Sequence, residues 1–290
     1  MAHERERDHH TGTETTGHEW DGIKELNTPL PKWWLYVFYA TIVWSIGYWI
    51  VYPAWPLAAS YTKGIWGYSQ RERVMENVEQ AKAAQSGFVD RIREASLQDI
   101  VADDELRQFA MAGGRAAFGD NCAACHGTGA QGAPGGYPSL VDDAWLWGGT
   151  LDDIHTTLEV GIRADHPDTR LSEMPAFGVD QILSREEIDQ VSEYVLSLSG
   201  TAANQQAAEA GATIFADNCA ACHGENGEGM VEMGAPNLAD AIWLYGGEKA
   251  DVVYTVTHSR AGVMPAWSGR LSPETIKQLT VYVHELGGGQ

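Results

Sequence analysis

Two copies of one eight-residue string constrain this chain more than any other feature. Asp120–Gly127 and Asp217–Gly224 both read DNCAACHG. Each contains Cys-x-x-Cys-His: Cys122, Cys125 and His126 in the first copy, Cys219, Cys222 and His223 in the second. The chain has 4 cysteines and these motifs use all of them, so none is left for a structural disulfide. Two thiols three positions apart can add to the two vinyl groups of one porphyrin. The histidine that follows then lies under the ring and ligates iron, which makes the motif a specific signal for covalent haem c. The rivals are a zinc site and a redox-active dithiol. Zinc held by four cysteines would require both copies to share one ion, and a thioredoxin-like dithiol would need a βαβ setting. Two covalently attached haem c groups are therefore expected.

The likeness extends beyond the motifs. Pro138-Ser139-Leu140 answers Pro236-Asn237-Leu238, and Ala144–Gly149 answers Ile242–Gly247. Met174-Pro175-Ala176-Phe177 answers Met264-Pro265-Ala266-Trp267. Each repeat closes on a helical pattern: Ile188, Val191, Val195 and Leu198 in one, Ile276, Leu279, Val283 and Leu286 in the other. Both sets fall on one helix face. Ser184 with Glu187 forms a capping-box pattern, and Pro273 after Ser272 suits a first helical position. The expectation is two tandem all-α modules, residues 108–200 and 201–290, joined by a polar linker around Gly200–Gln206.

The second axial ligand is expected from Met174 and Met264, whose thioethers would stabilise ferrous iron. A methionine is more often core filler, but these two stand at matching places. His155, His166 and His258 are alternatives without counterparts in the other repeat. The sequence leaves the pairing open: either methionine could serve either motif. Pro138 and Pro236 offer carbonyls to the outer nitrogens of His126 and His223. Trp145, Trp147 and Trp243 are expected to pack near the haems.

Ahead of the repeats, Trp33–Thr62 carries no formal charge. Residues 33–57 are long enough for one transmembrane helix, with aromatic residues at both ends and Pro53 and Pro56 to stop it. A cleavable signal peptide is the rival, with Ala58-Ala59-Ser60 as a faint cleavage patch. Against it stand the charged leader of residues 1–32 and an apolar run longer than signal peptides use. Residues 1–20 read as a disordered polar tail, with metal binding by His3, His9, His10 and His18 as the alternative. The connector, residues 58–107, is expected to hold a helix over Ser69–Ala84 that Gly87 interrupts. Lys24 and Lys32 precede the span while Lys63, Arg71 and Arg73 follow it, so charge bias leaves orientation undecided. Haem c is attached outside the bacterial cytoplasm, which puts the repeats in the periplasm and the N-terminus in the cytoplasm.

The net charge of -21 makes nucleic acid a poor partner. Residues 113–290 alone hold eight Lys and Arg against twenty-four Asp and Glu. Such a surface could steer a basic redox partner or simply confer solubility.

Read in order, the leader Asp21–Asn27 (DGIKELN), the stretch Pro29–Trp34 (PLPKWW) before one span, the connector and two modules resemble the FixP/CcoP dihaem subunit of cbb3-type cytochrome c oxidases. The resemblance covers nearly the whole chain, and the leader makes it specific. It implies two class I-like cytochrome c domains held at the bacterial inner membrane by a single span. It also implies electron transfer in an aerobic respiratory chain. Electrons would pass from a donor cytochrome c to the monohaem subunit and then to the oxygen-reducing haem–copper subunit, with no catalytic centre in this chain. Cys122, Cys125, His126 and Met174, with Cys219, Cys222, His223 and Met264, match the family's haem-binding positions. The first repeat has extra residues within Asp165–Glu173, read as a docking feature or a longer loop. Rival functions are a dihaem peroxidase, an anchored cytochrome of another redox complex, and a ligand-sensing haem protein.

Overall fold

A mostly apolar stretch that begins just after Pro31 and stops at Tyr52, ahead of Pro53, forms one helix. In the computed structural model, which describes residues 6–289, α1 is Lys32–Val51, twenty residues with none buried by the rest of the chain. At about 1.5 Å per residue it is about 30 Å long, the thickness of a hydrocarbon core. Tyr52 caps it in an extended conformation ahead of Pro53, so the helix stops short of residue 57. Upstream, β1 (Thr15–Trp20) and β2 (Ile23–Leu26) form an antiparallel hairpin. The disorder expected of residues 1–20 does not hold from Thr15 onward. His3 lies outside the described residues. Among those described, no group of three His, Cys, Asp or Glu could hold a metal ion.

The chain divides into two units, residues 1–83 and 84–290. Helix α2 (Gln70–Glu94) runs straight through Gly87, so the interruption expected there does not occur. A single glycine costs an exposed helix only about 1 kcal/mol, too little to break one of this length.

The second unit is all helical. It comprises α3 (Leu97–Ala102), α4 (Asp104–Asn121), α5 (Ala123–His126), α6 (Leu151–Val160), α7 (Arg185–Leu198), α8 (Gln205–Asn218), α9 (Ala220–His223), α10 (Lys249–His258) and α11 (Pro273–His284). Short polar side chains start most of the longer helices by accepting orphan amides. Asp103 takes the amides of Glu105 and Leu106, Thr150 that of Asp153, Asn204 that of Ala207, and Ser272 that of Thr275. Ser184 and Glu187 form the full reciprocal capping box.

Packing does not follow the repeats. One core joins Phe118, Cys122, Ile154 and Leu158 of the first repeat to Ile276, Leu279 and Val283 of the second. The other joins Phe177, Ile188, Val191 and Val195 of the first to Phe215, Val252 and Val256 of the second. Each repeat thus gives its closing helix to the other repeat's motif: α11 lies on α4, and α7 lies on α8. The same device makes both crossings close. A Cβ on Gly114 of α4 would overlap the Gln278 carbonyl, and one on Gly211 of α8 would overlap that of Gln190. Phe118 then packs on Tyr282 with ring centroids 5.5 Å apart, and Phe215 on Tyr194 at 5.0 Å. The pocket built on the second motif is therefore one continuous stretch, inserted between the two parts of the pocket built on the first.

A candidate pair of haem c sites

Both motifs sit where a long helix gives way to one tight turn. The Cys122 amide bonds to Phe118 O, closing α4, and the His126 amide bonds back to Cys122 O at 2.9 Å. The second copy repeats this with Cys219 on Phe215 O and His223 on Cys219 O at 3.0 Å. Each histidine is followed by a glycine at positive φ, Gly127 at 81° and Gly224 at 79°, where L side chains are strained. The loop then folds back, with the Gly132 amide on His126 O and the Gly229 amide on His223 O, both at 2.8 Å.

That return brings a proline carbonyl to each imidazole. His126 Nδ1 lies 3.0 Å from Pro138 O, and His223 Nδ1 lies 3.0 Å from Pro236 O. A carbonyl can only accept, so Nδ1 carries the proton and Nε2 keeps its lone pair for a metal. Burial pulls both histidines below their ordinary pKa, against the carbonyl bonds, which pull the other way. The imidazoles are thereby held neutral, as ligation requires. Burial, with the neighbouring Cys125 or Cys222 adding to it, pushes the Cys122 and Cys219 thiols up to about 11.

The methionines lie on the exchanged segments. Met264 packs against the core that holds Cys122 and Leu158, whereas Met174 packs against the core that holds Phe215 and Val256, on which Cys219 also packs. Hydrogen bonds fix each loop beside the helix it meets. Ile162 and Met264 exchange amide–carbonyl bonds of 2.9 and 3.0 Å, and the Trp267 amide reaches Leu158 O. On the other side, Ser259 Oγ donates to Met174 O at 2.6 Å, and the Gly178 and Val179 amides reach Thr257 O. Trp145 and Trp243 line the two cores in equivalent places, and Trp145 Nε1 donates to Gly288 O.

The alternative histidines are engaged locally. His155 lies 3.5 Å from Glu159, His166 accepts the Asp168 amide, and His258 stacks on Tyr254. The extra residues of the first repeat fold as a tight loop, with the Ala164 amide on Thr169 Oγ1. They deliver Arg170 to the Asp153 carbonyl and over the Trp147 ring, 5.4 Å from its centroid. Arg260 does the same in the other pocket, on Asp251 O and 4.8 Å from the Tyr245 centroid. These arginines escape sequence reading because they stand at different distances from their helices. Gly114 and Gly211, each eight residues before the first cysteine of its motif, carried a signal that repeat comparison could have found.

Known proteins resemble this chain over nearly its whole length. Family models match for the N-terminal domain of cytochrome oxidase-cbb3, FixP, over residues 12–59, for cytochrome c over 111–199, and for cytochrome c oxidase, cbb3-type, subunit III, over 206–283. The cbb3-type cytochrome c oxidase subunit CcoP of Azospirillum brasilense is 56% identical over 99% of both chains. The FixP subunit of Bradyrhizobium sp. (strain ORS 278) is 56% identical over 100% of both. That of Rhizobium meliloti (strain 1021) is 50% identical over 97% of this chain and 96% of its own. The paired thiols, the neutral histidines with free Nε2 and the buried apolar linings all fit two covalent haem c groups. The chain belongs to the FixP/CcoP family of cbb3-type cytochrome c oxidase subunits, in which it is an electron-transfer component carrying two c-type haems.

Proposed function

We propose that this chain relays electrons through two haem sites with exchanged methionines: Cys122, Cys125, His126 and Met264 would hold one haem, and Cys219, Cys222, His223 and Met174 the other. The observation that carries the reading is the exchange of methionine loops and closing helices between the repeats. When bound, the haems supply reversible one-electron chemistry at iron. The protein's part is to hold that chemistry without opening it. The prolyl carbonyls orient the histidines, hydrogen bonds to the methionine carbonyls hold the methionine loops, and the two apolar cores line the sites. A histidine and a methionine would together hold each iron, a donor set that suits electron transfer better than peroxidase chemistry.

The membrane arrangement follows the same reading. Residues 1–32 form the cytoplasmic tail, the span over residues 33–57 anchors the chain in the bacterial inner membrane, residues 58–107 connect, and the haem-bearing repeats at 108–200 and 201–290 stand in the periplasm. The partners are a donor cytochrome c, the monohaem subunit and the haem–copper subunit. The acidic surface of the repeats steers a basic donor, so donor oxidation slows as salt rises; a salt-independent rate would contradict steering. The test of the relay is oxygen uptake by the native complex carrying Cys219→Ser with Cys222→Ser. Uptake driven by donor cytochrome c is expected to collapse, while uptake driven by a small reductant that reaches the haem–copper subunit directly persists. Unchanged donor-driven uptake would overturn the relay.

A further inference from the structure

One side chain touches both methionine loops. Arg163 Nε donates to Gly262 O at 2.7 Å, and its Nη1 donates to Ser172 O at 2.7 Å. Those carbonyls stand at the same place in the two loops, two residues before Met264 and two before Met174. The forked guanidinium is rigid and planar, so it holds the two acceptors at a fixed separation.

Arg163 is itself held firmly. It lies just past α6 with φ 50°, a left-handed conformation unusual for arginine. Its amide bonds to Arg170 O at 3.0 Å, and the residue before it makes the two-way pairing with Met264. Among the described residues no carboxylate forms an ion pair with it. Nor does it have a counterpart: matching the helix caps Gly161 and Ser259 sets Arg163 against Ala261. One arginine therefore serves both loops.

We infer that Arg163 is a shared positioning residue, clamping the Met174 and Met264 loops together so that methionine ligation at the two haems is coupled. The inference rests on both methionines being iron ligands, in either pairing. A clamp on one loop alone would act on one haem. This one spans both, so its loss frees both thioethers.

The test uses the full-length, haem-loaded protein with Arg163→Ala and Arg163→Lys. The readouts are the near-infrared methionine-to-ferric-iron absorption at each haem, both midpoint potentials and the covalent haem content. In Arg163→Ala the absorption is expected to fall by similar fractions at both haems. Both potentials should drop with it, since a thioether stabilises ferrous iron, while haem content is retained. Arg163→Lys keeps the charge without the fork and is expected to shift both haems the same way by less. If the alanine protein does not assemble, the lysine protein decides by the same criterion. A change at one haem only, or at neither, overturns the inference. Absence of the absorption in the wild-type protein would instead defeat the ligand reading beneath it.

Discussion

The two haem pockets use the same helices in the same roles, but they are buttressed differently at one equivalent position. In α7 that position is Glu193, 1% exposed, which accepts the Ala203 and Asn204 amides at 3.0 and 3.1 Å and lies 2.9 Å from Lys249 Nζ. In α11 it is Val281, fully buried against Ile92, Leu97, Ile100, Leu106 and Ala110. The contrast follows from chain path. Helix α7 runs directly into the turn that starts α8, so its outer face meets unsatisfied amides and a carboxylate belongs there. The outer face of α11 is instead covered by α3 and the end of α2, so a valine belongs there. Lys277 completes this second cover by donating to the carbonyls of Ile92, Arg93 and Ala95 at 2.7–3.1 Å. An exchanged pair of pockets thus needs two different seals, one ionic and one apolar.

Placing the wrong seal on a pocket should have the largest effect. Val281→Glu puts a carboxylate where neither the two amides nor the lysine await it. The expected loss is about 3–5 kcal/mol, the cost of an uncompensated buried charge, measured by chemical denaturation. A loss below about 1 kcal/mol would mean that the two faces are interchangeable.

Next come the helix crossings that both pockets share. Gly114→Ala and Gly211→Ala each force a methyl group onto a backbone carbonyl of the partner helix. Each is expected to cost about 1–3 kcal/mol. Equal losses would confirm equivalent crossings, and a harmless change at one would break the equivalence.

The ionic seal should carry a pH signature. The hydrogen bond to Lys249, followed by those from the Asn204 and Ala203 amides, holds the Glu193 carboxyl below its ordinary range despite burial. A folded pKa below the unfolded one gives stability that is complete at neutral pH. It is lost as the pH falls from the ordinary glutamate range through the lowered value. Glu193→Gln should cost about 2 kcal/mol at pH 7 and flatten the acid limb of a stability-against-pH curve. An unchanged acid limb would remove Glu193 from the account.

The smallest effect concerns the loop after each histidine. Ala130 has φ 59°, and its counterpart Gly227 has φ 74°. Ala130→Gly relieves left-handed strain and is expected to gain up to about 1 kcal/mol. Gly227→Ala adds the same strain and crowds Leu198, so it should lose at least that much. Changes of the same sign in thermal unfolding would show that the two loops are not equivalent.

Much of this was legible in the sequence, because the pieces repeat. The motifs, the prolyl carbonyls, the methionines and the closing helices all stand at matching places. Which piece joins which was not legible, and the reason is the repetition itself. Each closing helix shows the same apolar face, and each methionine loop the same Met-Pro-Ala-aromatic string, so either could complete either pocket. What selects the exchanged partner lies in features the repeats do not share. Arg163 and Glu193 have no counterpart of their own type, and nothing in local pattern marks them. The hairpin over Thr15–Leu26 escaped for a different reason: its side chains are almost all exposed, so no buried face imprints an alternation on the sequence.

Crossed ligation is tested most directly in a protein reduced to one haem. In Cys122→Ser with Cys125→Ser, only the haem on Cys219 and Cys222 remains, and its ferric form reports methionine ligation in the near infrared. Adding Met174→Ala should abolish that absorption, and adding Met264→Ala should leave it. The reverse result, with Met264→Ala abolishing it and Met174→Ala leaving it, would contradict the exchange.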